Sequence, residues 1–339
     1  MLNNSILRIL GERMRQLVLA LSLALGFSQS ALAAPMDDAT RTRIAELAEQ
    51  LSIDQSKLEA AIGQAKKSPT VLKAITKPWE AKPWYEYRPI FLTQKRIDKG
   101  VEFWKKNQDT LIRAEQEFQV PAHVIVSIIG VETYYGGNKG SLSVLNSLYS
   151  LGFHYPKRAE FFSKEFAYYV KLAAEQGWDL KSVKGSYAGA MGYGQFIPSS
   201  YIHYGVDFDG DNKVDILNNE VDAIGSVANY FSEHHWSFGE PVIHPIEIGE
   251  LDPALFEQKG LSFDHTWAQL NAQGLKSSDA IPQQAKVRFV SLKESDTKTS
   301  YWVARENFYV ITRYNRSVLY AMAVHQLSEE IKRAYQASN

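Results

Sequence analysis

The chain has 339 residues, of which 45% are hydrophobic and 22% are charged, and its 37 basic side chains nearly balance 38 acidic ones. This apolar fraction supports a folded core and argues against intrinsic disorder. The near-neutral charge argues against nucleic acid as a partner. Cysteine is absent, which excludes disulfides, thiolate metal sites, cysteine nucleophiles and lipid attachment through a cysteine.

Residues 1–33 have the pattern of a secretory signal peptide. Arginines precede the apolar run Leu17–Phe27, and Ala31–Ala33 forms an A-x-A cleavage pattern. The run is shorter than the ~20 apolar residues that a membrane-spanning helix needs, and no later run is long enough. We therefore predict cleavage near Ala33 and an exported, soluble protein without a membrane span; an uncleaved anchor helix is the alternative.

Residues 34–118 have helical periodicity and are predicted to form a helical domain. Apolar side chains recur at helical spacing from Ile44 to Leu51, and Ser68-Pro69 is typical of a helix start. A connector rich in proline and aromatic residues is predicted at residues 78–89, followed by a further helical segment.

The segment that begins at Pro121 predicts a core helix that ends in an acid. Val124–Ile129 contains an apolar stripe, and Glu132 takes the next position on the same face. Desolvation and the negative end of the helix dipole should both raise the pKa of this carboxyl group. A carboxylic acid that stays protonated near neutral pH is what glycosidic bond cleavage requires. The alternative is a glutamate neutralised by a buried arginine or lysine.

Residues 185–201 form a turn rich in glycine and aromatic residues. Their spacing fits neither the nucleotide-binding fingerprints nor the nucleophile elbow of hydrolases. Small residues beside Ser186, Tyr193 and Gln195 would allow close contact with a polar, ring-shaped ligand. A tightly packed turn between helices is the alternative.

Residues 207–218 begin like an EF-hand calcium loop. Asp207, Asp209 and Asp211 occupy the first three ligand positions, and Lys213 would supply its carbonyl oxygen. The loop therefore predicts a structural calcium ion, with a solvated acidic turn as the alternative.

Two positions depart from the EF-hand pattern. Asn212 replaces the usual glycine, although asparagine tolerates the left-handed conformation. Asn218 stands where a bidentate glutamate should close the site. The ligand that closes the calcium site must therefore come from an acidic residue further along the chain, either Glu220 or Asp222.

The C-terminal third changes character. Residues 241–305 contain short strand-like segments and are predicted to form a small β domain. Residues 306–339 are expected to return to the core: residues 307–312 resemble a strand, and Asn315 or Ser317 should cap a last helix.

Five segments, in order, resemble the membrane-bound lytic murein transglycosylase B family, and the resemblance extends over about residues 40–335. It implies a mainly helical α+β fold, with a lysozyme-like catalytic core at residues 119–240 beside the additional helical domain and the small β domain. It also implies cleavage of the β-1,4 bond between N-acetylmuramic acid and N-acetylglucosamine without water, which leaves a 1,6-anhydromuramic end. Some members are lipoproteins, and this cysteine-free chain resembles the soluble, periplasmic form. The matching segments are residues 130–133, 153–162, 185–201, 221–231 and 307–315.

The resemblance also implies roles for individual residues. Glu132 is the sole catalytic acid and base, and no cofactor takes part in catalysis. Lys157 and Arg158 match a basic pair that faces peptide carboxylates. One extra residue before Asp222 distinguishes the calcium loop of this chain. The implied sugar-site residues are Ser186, Gln195, Tyr230, Tyr314 and Asn315, to which the glycine-rich turn adds Tyr193. The implied calcium ligands are Asp207, Asp209, Asp211, Lys213 and Asp222.

Three functions stay open at this stage. The leading hypothesis is a lytic transglycosylase that acts on peptidoglycan strands. A muramidase that uses water, with a second carboxylate as base, would give reducing ends instead. A peptidoglycan-binding protein without activity is the third. Cell-wall synthesis or remodelling proteins are the partners expected besides the glycan strands.

Overall fold

The computed structural model of the chain describes residues 36–76 and 82–338. The predicted signal peptide lies outside these residues. Within them, no helix combines the length and the apolar character needed to cross a membrane. The fold is mainly helical α+β, as predicted.

The N-terminal part is helical, and its first three helices agree with the prediction. Ser68 caps α3: its Oγ accepts a hydrogen bond from the Val71 N–H at 3.4 Å, and Pro69 takes the first helical position. The helices of this part are α1 (Asp38–Leu51), α2 (Gln55–Gln64), α3 (Pro69–Ala74), α4 (Trp84–Phe91), α5 (Gln94–Lys106) and α6 (Gln108–Phe118).

Part of the predicted connector is a helix instead. Helix α4 follows Pro83 and buries Trp84 and Tyr87, which lie one turn apart with their ring centroids at 6.3 Å. Pro89 lies inside this helix. The proline content suggested an irregular segment, but burial of two large aromatic rings on one face stabilises the helix in spite of the missing backbone donor.

The central part contains the predicted core helix. Helix α7 is buried nearly all round and packs against α5 and α14. The Ser127 hydroxyl donates to the Val324 carbonyl of α14 at 2.7 Å, which satisfies a polar group inside this contact. The elements are α7 (Ala122–Thr133), β1 (Leu142–Ser143), α8 (Val144–His154), a 3-10 turn (Pro156–Arg158), α9 (Ala159–Gln176), β2 (Lys184–Gly185), α10 (Pro198–Tyr204) and α11 (Glu220–Glu233).

Two antiparallel sheets are present in the described residues. Strands β1 and β2 pair Leu142 with Gly185 and bring residue 186 beside the chain that follows α7. The second sheet has the order β3-β6-β5-β4 and lies within the segment predicted as a β domain. Its core includes Phe256, Trp267 and Phe289. The elements are β3 (Ile243–Ile246), β4 (His265–Thr266), α12 (Trp267–Ala272), β5 (Lys286–Lys293) and β6 (Thr299–Ala304).

The prediction of a strand at residues 307–312 was wrong. These residues belong to helix α13 (Glu306–Tyr314), which precedes α14 (Val318–Ala337). The β-branched and aromatic residues favoured a strand by composition. In the structure Phe308 and Ile311 lie on one buried helical face, and the Asn307 amide binds the carbonyls of Ser237 and Glu240. Helix α14 packs against α4, α5 and α7.

Candidate active site

Glu132 lies at the end of helix α7, half-buried, and faces α14. The Tyr320 hydroxyl donates a hydrogen bond to Glu132 Oε1 at 2.6 Å. Burial raises the pKa of Glu132 to about 7, and the Tyr320 hydrogen bond opposes the rise because it stabilises the charged form. Both expectations, the apolar surroundings and the direction of the pKa shift, are therefore met. No basic side chain in the described part of the chain neutralises it.

The chain after Glu132 turns sharply. Tyr134 and Tyr135 adopt left-handed backbone conformations, with φ of 54° and 60°. Such values are costly for bulky residues and cluster at functional sites. The Tyr135 hydroxyl donates to the Arg96 carbonyl at 2.9 Å, so this turn is fixed against α5.

A hydroxyl ties the end of α7 to the glycine-rich turn. Thr133 Oγ1 donates to the Tyr193 carbonyl at 2.9 Å and accepts from the Gly136 N–H at 3.0 Å. A Cβ atom at Gly136 would lie 2.2 Å from the Tyr193 ring. Glycine is required here both for this contact and for a φ of 81°.

Tyr314 and Tyr230 form an aromatic wall beside the turn. Tyr314 donates its hydroxyl to the Gly194 carbonyl at 2.5 Å, and Tyr230 donates to the Arg313 carbonyl at 2.7 Å. Their ring centroids are 4.7 Å apart. Burial and, after it, the charge on Glu132 raise the pKa of Tyr314 well above its usual value, which indicates that this wall lies near the acid. Both hydroxyls are occupied by carbonyls. Tyr230 is only 7% exposed and packs behind Tyr314, which is half-buried.

The remaining predicted turn residues are held by internal hydrogen bonds. Ser186 Oγ accepts from the N–H groups of Ala188 and Ala190 at 3.3 and 3.1 Å. Gln195 has a φ of 51°, and its Nε2 donates to the Gly192 and Lys139 carbonyls at 3.0 and 3.2 Å. Tyr193 donates its hydroxyl to Glu220 at 3.3 Å.

Lys139 links this turn to the end of the acidic loop. Its ammonium group donates to the Leu217 carbonyl at 2.6 Å and lies 4.5 Å from the centre of the Tyr193 ring. Asp215 in turn accepts from the Leu217 N–H at 3.1 Å. One lysine therefore connects the glycine-rich turn to the end of the acidic loop.

The acidic loop gathers three of the predicted calcium ligands. Carboxylate oxygens of Asp207, Asp209 and Asp211 lie within 4.8 Å of one another. Asn212 has a φ of 69°. This is the left-handed conformation that the EF-hand loop requires at the position where glycine usually stands. Lys213 comes two positions after Asp211 and is exposed. The donor set is all oxygen, which suits a hard cation such as calcium.

Asp222 and Glu220 are placed differently from what the loop pattern led us to expect. Asp222 is buried on α11, and its two oxygens accept the Phe208 and Asp215 N–H groups at 2.8 and 2.7 Å. These two hydrogen bonds hold the loop near its start, at Phe208, and near its end, at Asp215. Asp222 lies outside the cluster of three carboxylates. Glu220 pairs with Lys106 at 2.8 Å.

Three further predicted residues, Lys157, Arg158 and Asn315, are exposed. Lys157 and Arg158 lie in the 3-10 turn before α9, and the Arg158 guanidinium covers the Phe161 ring at 4.5 Å. Asn315 is exposed at the end of α13. Ser317, and not Asn315, caps α14, because its Oγ accepts the Tyr320 N–H at 3.3 Å.

Tyr320 is the site residue that sequence reasoning missed. Its hydroxyl reaches Glu132 across 188 positions of the chain. The helical periodicity predicts that residue 320 lies near the start of the last helix. A single sequence carries no signal that its side chain contacts Glu132, which is so distant along the chain.

The chain is similar in sequence to known cell-wall enzymes. A family model described as transglycosylase SLT domain matches residues 37–329. The membrane-bound lytic murein transglycosylase B of Escherichia coli (strain K12) is 40% identical over 288 residues, which cover 82% of this chain and 78% of the relative.

Solved structures show the same fold. The catenated lytic transglycosylase SltB1 of Pseudomonas aeruginosa superposes with a TM-score of 0.83 at 44% identity, covering 88% of this chain and 99% of that one. The Escherichia coli lytic transglycosylase Slt35 in complex with calcium gives 0.78 at 37% identity, covering 91% and 98%. SltB3 of Pseudomonas aeruginosa, in complex with NAG-anhNAM-pentapeptide, gives 0.75 at 27% identity, covering 86% and 78%.

Proposed function

We propose that this chain, which belongs to the transglycosylase SLT domain family and is a lytic murein transglycosylase, cleaves the β-1,4 bond between N-acetylmuramic acid and N-acetylglucosamine through Glu132 and leaves 1,6-anhydromuramic ends. The observation that supports this most is a half-buried carboxyl group whose pKa is raised to about 7. Such a group is protonated often enough at neutral pH to donate, and basic enough afterwards to accept.

Glu132 acts twice in this reaction. Its proton passes to the glycosidic oxygen as the bond to C1 breaks, and the electron pair of that bond leaves with the oxygen. The C6 hydroxyl of the same muramic acid attacks C1, and its proton returns to the Glu132 carboxylate. The acid is regenerated and no water is consumed. The substrate's own acetamido oxygen stabilises the cationic centre.

The surroundings of Glu132 favour this route over hydrolysis with two carboxylates. Glycosidases that hydrolyse their substrate place a second carboxylate roughly 5 to 9.5 Å from the acid. In the described part of the chain, the influences on the pKa of Glu132 are burial and the Tyr320 hydroxyl, and neither is a carboxylate. An internal nucleophile supplied by the sugar removes the need for one.

The same proposal assigns the substrate contacts. The Tyr314 ring packs against a sugar face, Tyr230 supports that ring from behind, and Asn315 offers its amide at the exposed edge. Ser186, Tyr193 and Gln195 line the opposite wall, while Lys157 and Arg158 face peptide carboxylates further out. SltB3 of Pseudomonas aeruginosa, in complex with a NAG-anhNAM-pentapeptide, supports a peptide-bearing saccharide as ligand. We also propose a periplasmic location after export, and partners among cell-wall synthesis or remodelling proteins.

Mass spectrometry of digested peptidoglycan tests the reaction. We expect soluble fragments that are each one water lighter than the corresponding hydrolysis products, because the C6 oxygen replaces water at C1. Full-weight fragments with reducing ends would identify a muramidase. Binding of the strands without release of fragments would identify a binding protein.

We further propose that the acidic loop holds a structural calcium ion, with Asp207, Asp209, Asp211 and the Lys213 carbonyl among its ligands. The clustered carboxylates support this, and Slt35 was solved in complex with calcium. Bound calcium offsets the mutual repulsion of the carboxylates and keeps the loop end in place beside Lys139. Catalysis itself needs no cofactor in this scheme.

Calcium should raise the melting temperature. A ligand that binds only the native state at a hundred times its Kd stabilises by about 2.7 kcal/mol, which corresponds to a shift of a few degrees. Differential scanning calorimetry with calcium and with chelator measures it. Asp211→Asn should lose most of the shift, whereas Asp109→Asn, an exposed aspartate outside the loop, should retain it. Identical curves with and without calcium would refute the site.

A further inference from the structure

Tyr135, three residues after Glu132, packs its ring back onto the helix that carries the acid. The left-handed backbone at residues 134 and 135 reverses the chain at the end of α7, and the Tyr135 side chain is only 6% exposed. A Cβ atom at Gly130 would lie 2.6 Å from both Cζ and the hydroxyl oxygen of this ring. The ring therefore lies directly against the backbone of the last turn of α7, in the space that a side chain at residue 130 would need.

A second glycine, on α5, lets the same ring reach a neighbouring helix. A Cβ atom at Gly100 would lie 2.6 Å from the Tyr135 hydroxyl oxygen and 2.8 Å from Ile331 Cδ1 of α14. In an α-helix the carbonyl of one residue lies beside the residue four positions later, so glycine at position 100 leaves the Arg96 carbonyl open on this side. The Tyr135 hydroxyl donates to that carbonyl at 2.9 Å. Tyr135 thus joins α7 to α5 at a point where α5 also contacts α14.

The ring supports α7 from the side opposite the acid. Gly130 and Glu132 are two positions apart, which is about 200° around an α-helix. The face with Gly130 meets Tyr135, whereas Glu132 points to α14 and accepts the Tyr320 hydroxyl at 2.6 Å. A displacement of the last turn of α7 toward α5 would lengthen this hydrogen bond. The ring of Tyr135 fills the space into which the turn would have to move.

The strained turn after α7 depends on the same packing. The Tyr134 N–H donates to the Gly130 carbonyl at 3.1 Å and the Tyr135 N–H to the Ile129 carbonyl at 3.3 Å, so the reversed chain caps the end of α7. Left-handed conformations of bulky residues persist only where the surroundings hold them. Besides the two glycine backbones and the carbonyl on α5, the Phe103 ring contacts Tyr135, with the two ring centroids 5.7 Å apart. Release of the Tyr135 ring would therefore release the cap of the helix end that carries the acid.

We propose that Tyr135 is a positioning residue for the catalytic acid. Its ring, packed between Gly130 and Gly100, keeps the last turn of α7 toward α14, so that Glu132 stays in hydrogen-bond contact with Tyr320. The ring is buried, so it acts through Glu132 and not through contact with the glycan strand. The catalytic part of this role rests on the proposed function, whereas the hydrogen bond that Tyr135 maintains can be measured without any substrate.

A double-mutant cycle on the pKa of Glu132 tests the proposal. The pKa is followed by carbon-13 NMR of protein labelled at the glutamate carboxyl carbons, and Glu132→Gln identifies the resonance. Tyr320→Phe should raise the pKa in the parent, because the carboxylate loses a hydrogen bond. Gly130→Ala displaces the ring of Tyr135, and Tyr135→Phe releases that ring from α5, so both weaken this hydrogen bond beforehand. In either background, Tyr320→Phe should therefore raise the pKa by less than about half as much.

Two control variants make the same chemical changes elsewhere. Gly63→Ala adds a methyl group to helix α2, where nothing lies within 4 Å of it. Tyr169→Phe removes the hydroxyl of a buried tyrosine that donates to the Leu180 carbonyl at 2.8 Å. Both should leave the full shift in pKa. Because Tyr135→Phe keeps the ring in place, it remains informative if Gly130→Ala does not fold. Release of peptidoglycan fragments should also fall about tenfold or more in these two variants, and stay as in the parent in both controls.

A full Tyr320→Phe shift in the folded Tyr135→Phe and Gly130→Ala variants would overturn the proposal. Lower melting temperatures without a change in that shift would then show that Tyr135 is an ordinary core residue. The absence of a shift in the parent would overturn it too, because no hydrogen bond would then exist for Tyr135 to maintain. If the shifts follow the expectation and the parent does not cleave peptidoglycan, the positioning of Glu132 stands and the proposed function fails.

Discussion

Glu132→Gln is expected to lower kcat by at least a hundredfold, and by up to about ten-thousandfold, the range that general acid catalysis by one positioned group covers. The amide has nearly the same shape and can still accept the hydrogen bond from Tyr320. It has no proton to give the glycosidic oxygen, and it cannot take one from the C6 hydroxyl. Both halves of the proposed reaction therefore fail, while saccharide binding should persist.

The measurement is the release of soluble fragments from purified peptidoglycan at equal concentrations of folded protein. Glu165→Gln is the matched control, since Glu165 is also a buried glutamate with a raised pKa, held by the N–H and the hydroxyl of Ser199. It should change stability and leave the chemical step intact. Turnover by Glu132→Gln within tenfold of the parent would remove Glu132 from the acid role.

The Glu132→Gln variant should also be more stable toward unfolding than the parent above neutral pH. Glu132 has a pKa raised from 4.5 to about 7 in the native state, so between these values the native state binds more protons than the unfolded state. Stability therefore falls as pH rises through this window. The full loss amounts to roughly 3 kcal/mol. A glutamine does not ionise and avoids this loss, which is the stability cost that an active-site acid imposes.

The sequence was sufficient to identify the elements that depend on local periodicity. Helix α7 follows from an apolar run with a 3.6-residue period, and the position of Glu132 on its buried face follows from the same count. The direction of its pKa shift needed no more than burial. The left-handed Asn212 was likewise expected, because the loop requires positive φ at that position.

Features that depend on distant packing were not accessible from one sequence. The partner of Glu132 comes from another helix, and Asp222 braces the loop because of hydrogen bonds to Phe208 and Asp215. Residues 307–312 have the composition of a strand but fold as a helix that buries Phe308 and Ile311. In each case tertiary contacts outweigh the local preference.

The pH dependence of kcat/KM gives the second large effect. Protonated Glu132 must donate in the first step, so kcat/KM should fall as pH rises above about 7, the pKa that burial gives this group in the free protein. Tyr320→Phe removes the donor that stabilises the carboxylate at 2.6 Å. The pKa of Glu132 should then rise further, because the charged form loses its hydrogen bond while the desolvation stays.

A hydrogen bond to a charged group contributes roughly 1.5 to 3 kcal/mol, which corresponds to about one to two pH units. The alkaline limb of the kcat/KM profile of Tyr320→Phe should therefore move to higher pH by about that amount, with a lower plateau because the carboxyl group is less well oriented. Tyr169→Phe is the control: this buried tyrosine donates to the Leu180 carbonyl at 2.8 Å and should leave the limb in place. A limb that stays at pH 7 in Tyr320→Phe, or moves to lower pH, would show that this hydroxyl does not set the acidity of Glu132.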